Sequence, residues 1–184
     1  MKTFEKRLYS LIFIGIIVFV ISCSSESNKW KKEMKEFVNS EIVFPNNIIP
    51  LNLPESVGVD DLLSSEFKII KFLDSTECAE CRFSQLMTWD DYYIEHRESD
   101  YAILCVISES DFFEVKRLID KFCFSFICLI DTDNSFKNLN LNLPTNSLLN
   151  TFLLRGNKVL LVGDPSKNSK INDLYIRMLE TRGY

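Results

Sequence analysis

The chain has 184 residues, with 21 Lys and Arg against 26 Asp and Glu, one His, and a net charge of -5. An acidic balance without a basic patch excludes nucleic acid and anionic lipid as electrostatically steered partners. The length suits one domain with a real core. Fifteen Phe and only five Gly point to an aromatic-rich interior and glycine-poor loops, and no internal repeat or low-complexity stretch interrupts the pattern.

At the N-terminus, Lys2, Lys6 and Arg7 precede an apolar run from Leu8 to Ile21, broken by Ser10 and Gly15 and closed by Ser22-Cys23. A positive start, a short apolar stretch and small residues at its end are the parts of a secretory signal. The run falls short of the roughly 20 apolar residues that span a bilayer as a helix. Val20-Ile21-Ser22-Cys23 resembles the bacterial lipobox. That resemblance implies a signal peptide over residues 1–22 and lipid attachment at Cys23, against the alternatives of an uncleaved anchor or plain secretion. Five cysteines are then left for other roles, and the mature chain has 18 basic and 25 acidic residues, a net charge of -7. The expected location is the cell envelope, lipid-anchored in a membrane and facing periplasm or exterior.

Residues 23–56 read as lipid site, tether and N-terminal extension. Ser24 to Asn28 is polar; Trp30 to Val38 suggests a short helix with Trp30, Met34, Phe37 and Val38 on one face. Phe44 to Pro54 carries Pro45, Pro50 and Pro54 and is expected to lie extended across the domain. The compact domain is placed at residues 57–184. Phe67 to Leu73 reads as a strand. Arg82 to Arg97 reads as one helix with Phe83, Leu86, Met87, Tyr93 and Ile94 toward one face. Tyr101 to Ile107 is a second strand, and Asp111 caps a helix that turns Val115, Leu118, Ile119 and Phe122 inward. Phe126 to Ile130 is a third strand, ending in the turn-rich Asp131-Thr132-Asp133-Asn134. Thr151 to Leu154 and Val159 to Val162 flank Arg155-Gly156-Asn157-Lys158 as an antiparallel hairpin. Ile171, Leu174, Tyr175, Met178 and Leu179 have the spacing of a C-terminal helix. Strands alternating with helices predict an α/β fold, a mixed, mostly parallel sheet with helices on both faces.

The chemistry-bearing motif is Cys78-Ala79-Glu80-Cys81, between the first of these strands and the helix after it. Two cysteines two residues apart at a strand-to-helix junction can close a small disulfide and reopen it, with the first sulfur at the helix start, where a thiolate is favoured. Export would place them where disulfides persist.

Lys68 to Cys81, Phe126 to Asp131, and Thr151-Phe152-Leu153-Leu154 through Val162-Gly163 together resemble the thioredoxin-like superfamily, and more closely its extracytoplasmic, membrane-tethered thiol-disulfide oxidoreductases, the TlpA-like branch. The likeness covers residues 57–184. It implies catalysis by Cys78 as attacking thiolate and Cys81 as resolving thiol, with no dissociable cofactor and no metal. It also implies thiol- or disulfide-bearing extracytoplasmic proteins as partners, and a membrane protein as electron donor. Two departures from the family stand out. Glu77 and Glu80 put carboxylates beside the pair, which opposes thiolate formation and predicts a more reducing couple. Asn150 stands where a proline usually precedes the hairpin, so Asn150 and Thr151 form the expected substrate-docking loop; Pro144-Thr145 lies six residues upstream.

A static disulfide at Cys78 and Cys81, on a scaffold that binds a partner without catalysis, is the alternative reading. Zinc at Cys123 and Cys128 is disfavoured because Cys128 lies inside an apolar strand. Cys105 and Cys128 read as small buried hydrophobes, and Cys123 stays open. His96 reads as a helix-end residue, Trp89 as packing, and Asp90, Asp91 and Glu95 as a solvated face.

Overall fold

A computed structural model describes residues 29–75 and 79–181, without the side chains of Ala79 and Cys81. The signal, Cys23, Glu77 and Cys78 lie outside the described residues. Among the described residues, no helix is long and apolar enough to cross a membrane.

The described residues begin with α1 (29–37) and β1 (Ile49–Leu51), then α2 (Val59–Ser64), β2 (Phe67–Leu73), α3 (Ala79–Ser84), α4 (Met87–His96) and β3 (Ala102–Ser108). It continues with α5 (Phe112–Phe122), β4 (Ile127–Asp131), α6 (Ser135–Leu139), a 3-10 turn at Ser147–Leu149, β5 (Thr151–Arg155), β6 (Lys158–Val162) and α7 (Ser169–Glu180). The sheet order is β1-β4-β3-β2-β5-β6, with β2, β3 and β4 mutually parallel and β1, β5 and β6 joined antiparallel. This is the expected α/β class. The strand carrying Lys71 and Leu73 is thus central, paired to β3 on one side and β5 on the other.

The crossovers from β2 to β3 and from β3 to β4 step across the sheet in the same direction, so right-handed connections put α3, α4 and α5 on one face. There Phe83, Leu86, Trp89, Val115 and Leu118 cover Ile69, Ile103, Cys105 and Cys128, joined by Tyr175 of α7. On the other face, Phe37, Ile42 and Phe136 cover Ile70, Leu104, Leu129 and Phe152. The alternation of β2, β3 and β4 residues between the two clusters explains why these strands carry apolar residues on both faces, with Lys68 and Lys71 of β2 as the charged exceptions.

Several expectations change. Arg82 to Arg97 is two helices, broken at residues 85–86, and the buried face holds Phe83, Leu86, Trp89 and Tyr92, while Met87 and Ile94 are exposed. Trp89 and Tyr92 bury more apolar area than Met87 or Ile94 would. The proline-rich stretch contains β1, whose Pro50 lies at the sheet edge opposite Leu129, where the missing N–H costs no interior pairing. Phe37 and Ile42 are fully buried, so the core extends upstream of residue 57. Asp90 is not merely solvated: its carboxylate accepts from the Ser125 and Phe126 amides at 2.7 and 3.1 Å, tying α4 to the start of β4.

Candidate active site

The redox motif enters where β2 ends. Cys81 belongs to the backbone of α3, which opens the polypeptide's return across the sheet face. Cys78, the expected attacking residue, lies outside the described residues; the described residues near the ends of the motif form a frame.

That frame is polar and mostly buried. Lys71 of β2 is 7% exposed; its ammonium donates to Asp164 at 2.5 Å and to the Thr151 hydroxyl at 3.3 Å, and stands 5.2 Å above the Trp89 ring. Asp164 follows β6, so the pair joins the central strand to the far edge of the sheet. Burial pushes the Asp164 carboxyl up, but Lys71 and the Ser166 hydroxyl and amide outweigh it, and the group lies below its ordinary value.

Beside this pair, Arg82 donates to the Asp74 carbonyl at 2.6 Å and to Glu109 at 2.9 Å, while Lys137 of α6 pairs with the Asp74 carboxylate. Glu80 is exposed and held by Lys121 at 2.8 Å and Arg117 at 3.8 Å, which lowers its carboxyl. One of the two carboxylates expected to oppose thiolate formation is therefore matched by cations from α5.

Asn150 and Thr151 lie at the same end of the sheet. Phe72 N donates to the Asn150 carbonyl at 2.7 Å, and Asn150 N donates to the Ser147 carbonyl at 3.3 Å, so both backbone groups are engaged within the protein. Thr151 is 2% exposed and opposes Lys71 in the β2–β5 register. The Asn150 side-chain carbonyl is enclosed without a hydrogen-bond partner. All described peptide bonds are trans, the one after Asn150 included. A cleft of about 160 Å³ runs between Lys71, Asp74, Arg82, Pro144, Asn150 and Asp164. Pro144, six residues upstream in sequence, thus lines the same cleft as Asn150.

The remaining cysteines separate clearly. Cys105 and Cys128 are fully buried and adjacent in the β3–β4 register; burial pushes the Cys105 thiol up to about 12 and raises that of Cys128 strongly. Cys123 is exposed and ends α5 at φ 54°. Among the described residues, no cluster of three or more His, Cys, Asp or Glu has metal-binding geometry. His96 ends α4, its ring 4.4 Å from that of Tyr92, and Trp89 is fully buried against Tyr92.

Sequence reasoning missed Lys71, Arg82 and Asp164. The signal was present for the first two, as cations inside or beside apolar runs; for Asp164 the sequence offers none.

No profile of a known protein family matches the sequence, and no curated protein matches it. Solved structures do. A thioredoxin-like protein in its oxidised form matches with TM-score 0.54 at 13% identity, over 81% of this chain and 100% of its own. A chain from Bacteroides thetaiotaomicron described as a candidate protein disulfide isomerase gives 0.53 at 16%, over 78% and 89%. One from Chlorobium tepidum, described as a candidate thiol:disulfide interchange protein DsbE, gives 0.50 at 14%, over 78% and 97%. At such identities the likeness speaks to architecture: the chain has the thioredoxin-like fold.

Proposed function

We propose that the protein is a membrane-tethered thiol-disulfide oxidoreductase that exchanges disulfides with extracytoplasmic proteins through Cys78 and Cys81. The observation that supports this reading is the place of Cys78-Ala79-Glu80-Cys81 in the order of elements, between the central strand β2 and the body of α3 in a thioredoxin-like fold; Asp74 and Arg82, which flank the motif in sequence, line a cleft bounded by Asn150. Cys78 as thiolate attacks a partner's disulfide, one partner sulfur leaves as thiolate, and a mixed disulfide forms; Cys81 then attacks Cys78 and releases the second partner sulfur. The cycle requires reducing equivalents, supplied by a membrane protein that passes them across the bilayer. The Asn150 backbone amide and carbonyl are both engaged within the protein, so a partner segment lying in the cleft would have to be held by other groups along it. Lipid attachment at Cys23 keeps the domain at the envelope membrane.

Insulin reduction by the purified chain, compared with Cys78→Ser, tests the activity. The reading expects turnover that disappears in the variant. Equal, negligible rates would instead favour a non-catalytic binding lipoprotein, the reading to which the replacement of proline by Asn150 lends weight.

A further inference from the structure

Arg82 directly follows Cys81 and is 3% exposed, on a helix position where an aliphatic side chain would pack without the desolvation cost of a buried cation. Its guanidinium bridges two exits from the sheet: Nη1 donates to the Asp74 carbonyl at 2.6 Å, just past β2, and Nη2 to Glu109 at 2.9 Å, just past β3. Both acceptors are themselves fixed. The Asp74 carboxylate pairs with Lys137, and Glu109 N donates to the Asp131 carbonyl at 3.1 Å. Asp131, at the end of β4, accepts in turn from the Ser108 hydroxyl and from the amides of Ser135 and Phe136. The segment between Asp74 and Arg82 carries both redox cysteines. The guanidinium therefore ties the two residues that flank that segment, Asp74 and Arg82 itself, to each other and to the ends of β3 and β4.

We propose that Arg82 is a positioning residue for the redox pair, holding α3 against the end of β2 so that Cys81 meets Cys78 in the intramolecular step. This inference rests on the oxidoreductase reading. In that step the Cys81 thiol gives its proton to solvent and its sulfur bonds to Cys78. The Cys78–partner bond breaks, and the partner's sulfur leaves as thiolate and takes up a proton. Cys78 and Cys81 end oxidised to a disulfide; the partner's bridge has taken their two electrons. The equilibrium for closing the pair scales with the effective concentration of one sulfur at the other, which a fixed segment base raises. Lysine cannot substitute, because an ammonium on a flexible stem does not fork rigidly to two acceptors.

The test uses the full chain and two variants, Arg82→Lys and Glu109→Gln. Each is equilibrated across glutathione ratios, alkylated and scored for the oxidation state of the Cys78–Cys81 peptide, with melting temperature measured in parallel. Arg82→Lys is expected to lower the disulfide-forming equilibrium about tenfold, a shift of about 30 mV toward a less negative potential. Glu109→Gln, which leaves Arg82 in place but removes its anion, shifts the potential the same way by less, and decides the matter if Arg82→Lys does not fold. Potentials equal to the unsubstituted chain's, whatever happens to the melting temperature, would overturn the role of Arg82. An unsubstituted chain with no redox transition would defeat the oxidoreductase reading itself, and this inference with it.

Discussion

At the scale of single residues, the polar frame at the end of β2 is set by charges largely withdrawn from water. Lys71 and Asp164 have side chains only 9% and 12% exposed, so removing one partner leaves the other as an uncompensated buried charge. Asp164→Asn is expected to cost about 3–5 kcal/mol at neutral pH, measured by urea denaturation. The sign with pH follows from the lowered carboxyl. The stability that Asp164 contributes is fully present above the ordinary aspartate value of about 3.9 and is lost as pH falls through the lower, folded-state value. The variant's acid limb should accordingly be flatter than that of the unsubstituted chain. Thiol reactivity divides by the same logic of burial. Iodoacetamide under native conditions at mildly alkaline pH is expected to label Cys123 and to spare Cys105 and Cys128, which become reactive only in denaturant. Native labelling of either buried thiol would contradict the packing of β3 on β4.

At the scale of elements, α5 shows sequence and structure agreeing in detail. Asp111 accepts from the Glu114 amide at 3.0 Å as its N-cap, and Val115, Leu118 and Ile119 are buried as their spacing predicts. Asp111→Ala is expected to destabilise the protein by about 1 kcal/mol. The other end is less well served. Cys123 takes up the left-handed C-terminal position at φ 54°, which glycine occupies without a Cβ penalty, and Cys123→Gly is expected to leave stability unchanged or raise it by up to about 1 kcal/mol. Thermal unfolding of both variants checks the pair of predictions. The strands were legible because β2, β3 and β4 are apolar on both faces and the hairpin carries Gly156 at φ 56° where its turn needs it. The break between α3 and α4 was not legible: residues 85–86 are Gln and Leu, and no proline or glycine marks it. Nor was β1, since its three residues pair only through the edge of β4, a contact that local periodicity does not encode.

At the scale of the whole molecule, topology does what no local pattern announces. It brings Lys71 of the central strand, Arg82 of α3, Asn150 before β5 and Asp164 after β6 to one cleft, from positions as far apart as 71 and 164. The cysteine motif and its place after β2 could be read from the sequence, because a strand followed by two closely spaced cysteines and a helix is a local signal. The cluster around it could not, because each member comes from a different element and only the sheet order makes them neighbours. The proposed activity depends on Cys78 and Cys81 cycling between dithiol and disulfide. The most direct measurement equilibrates the chain across a wide series of redox buffers, quenches it by alkylation and weighs the peptide that carries both residues. A single two-electron transition, with both cysteines changing state together, is the expected result; a peptide that keeps one mass at every buffer ratio would contradict it.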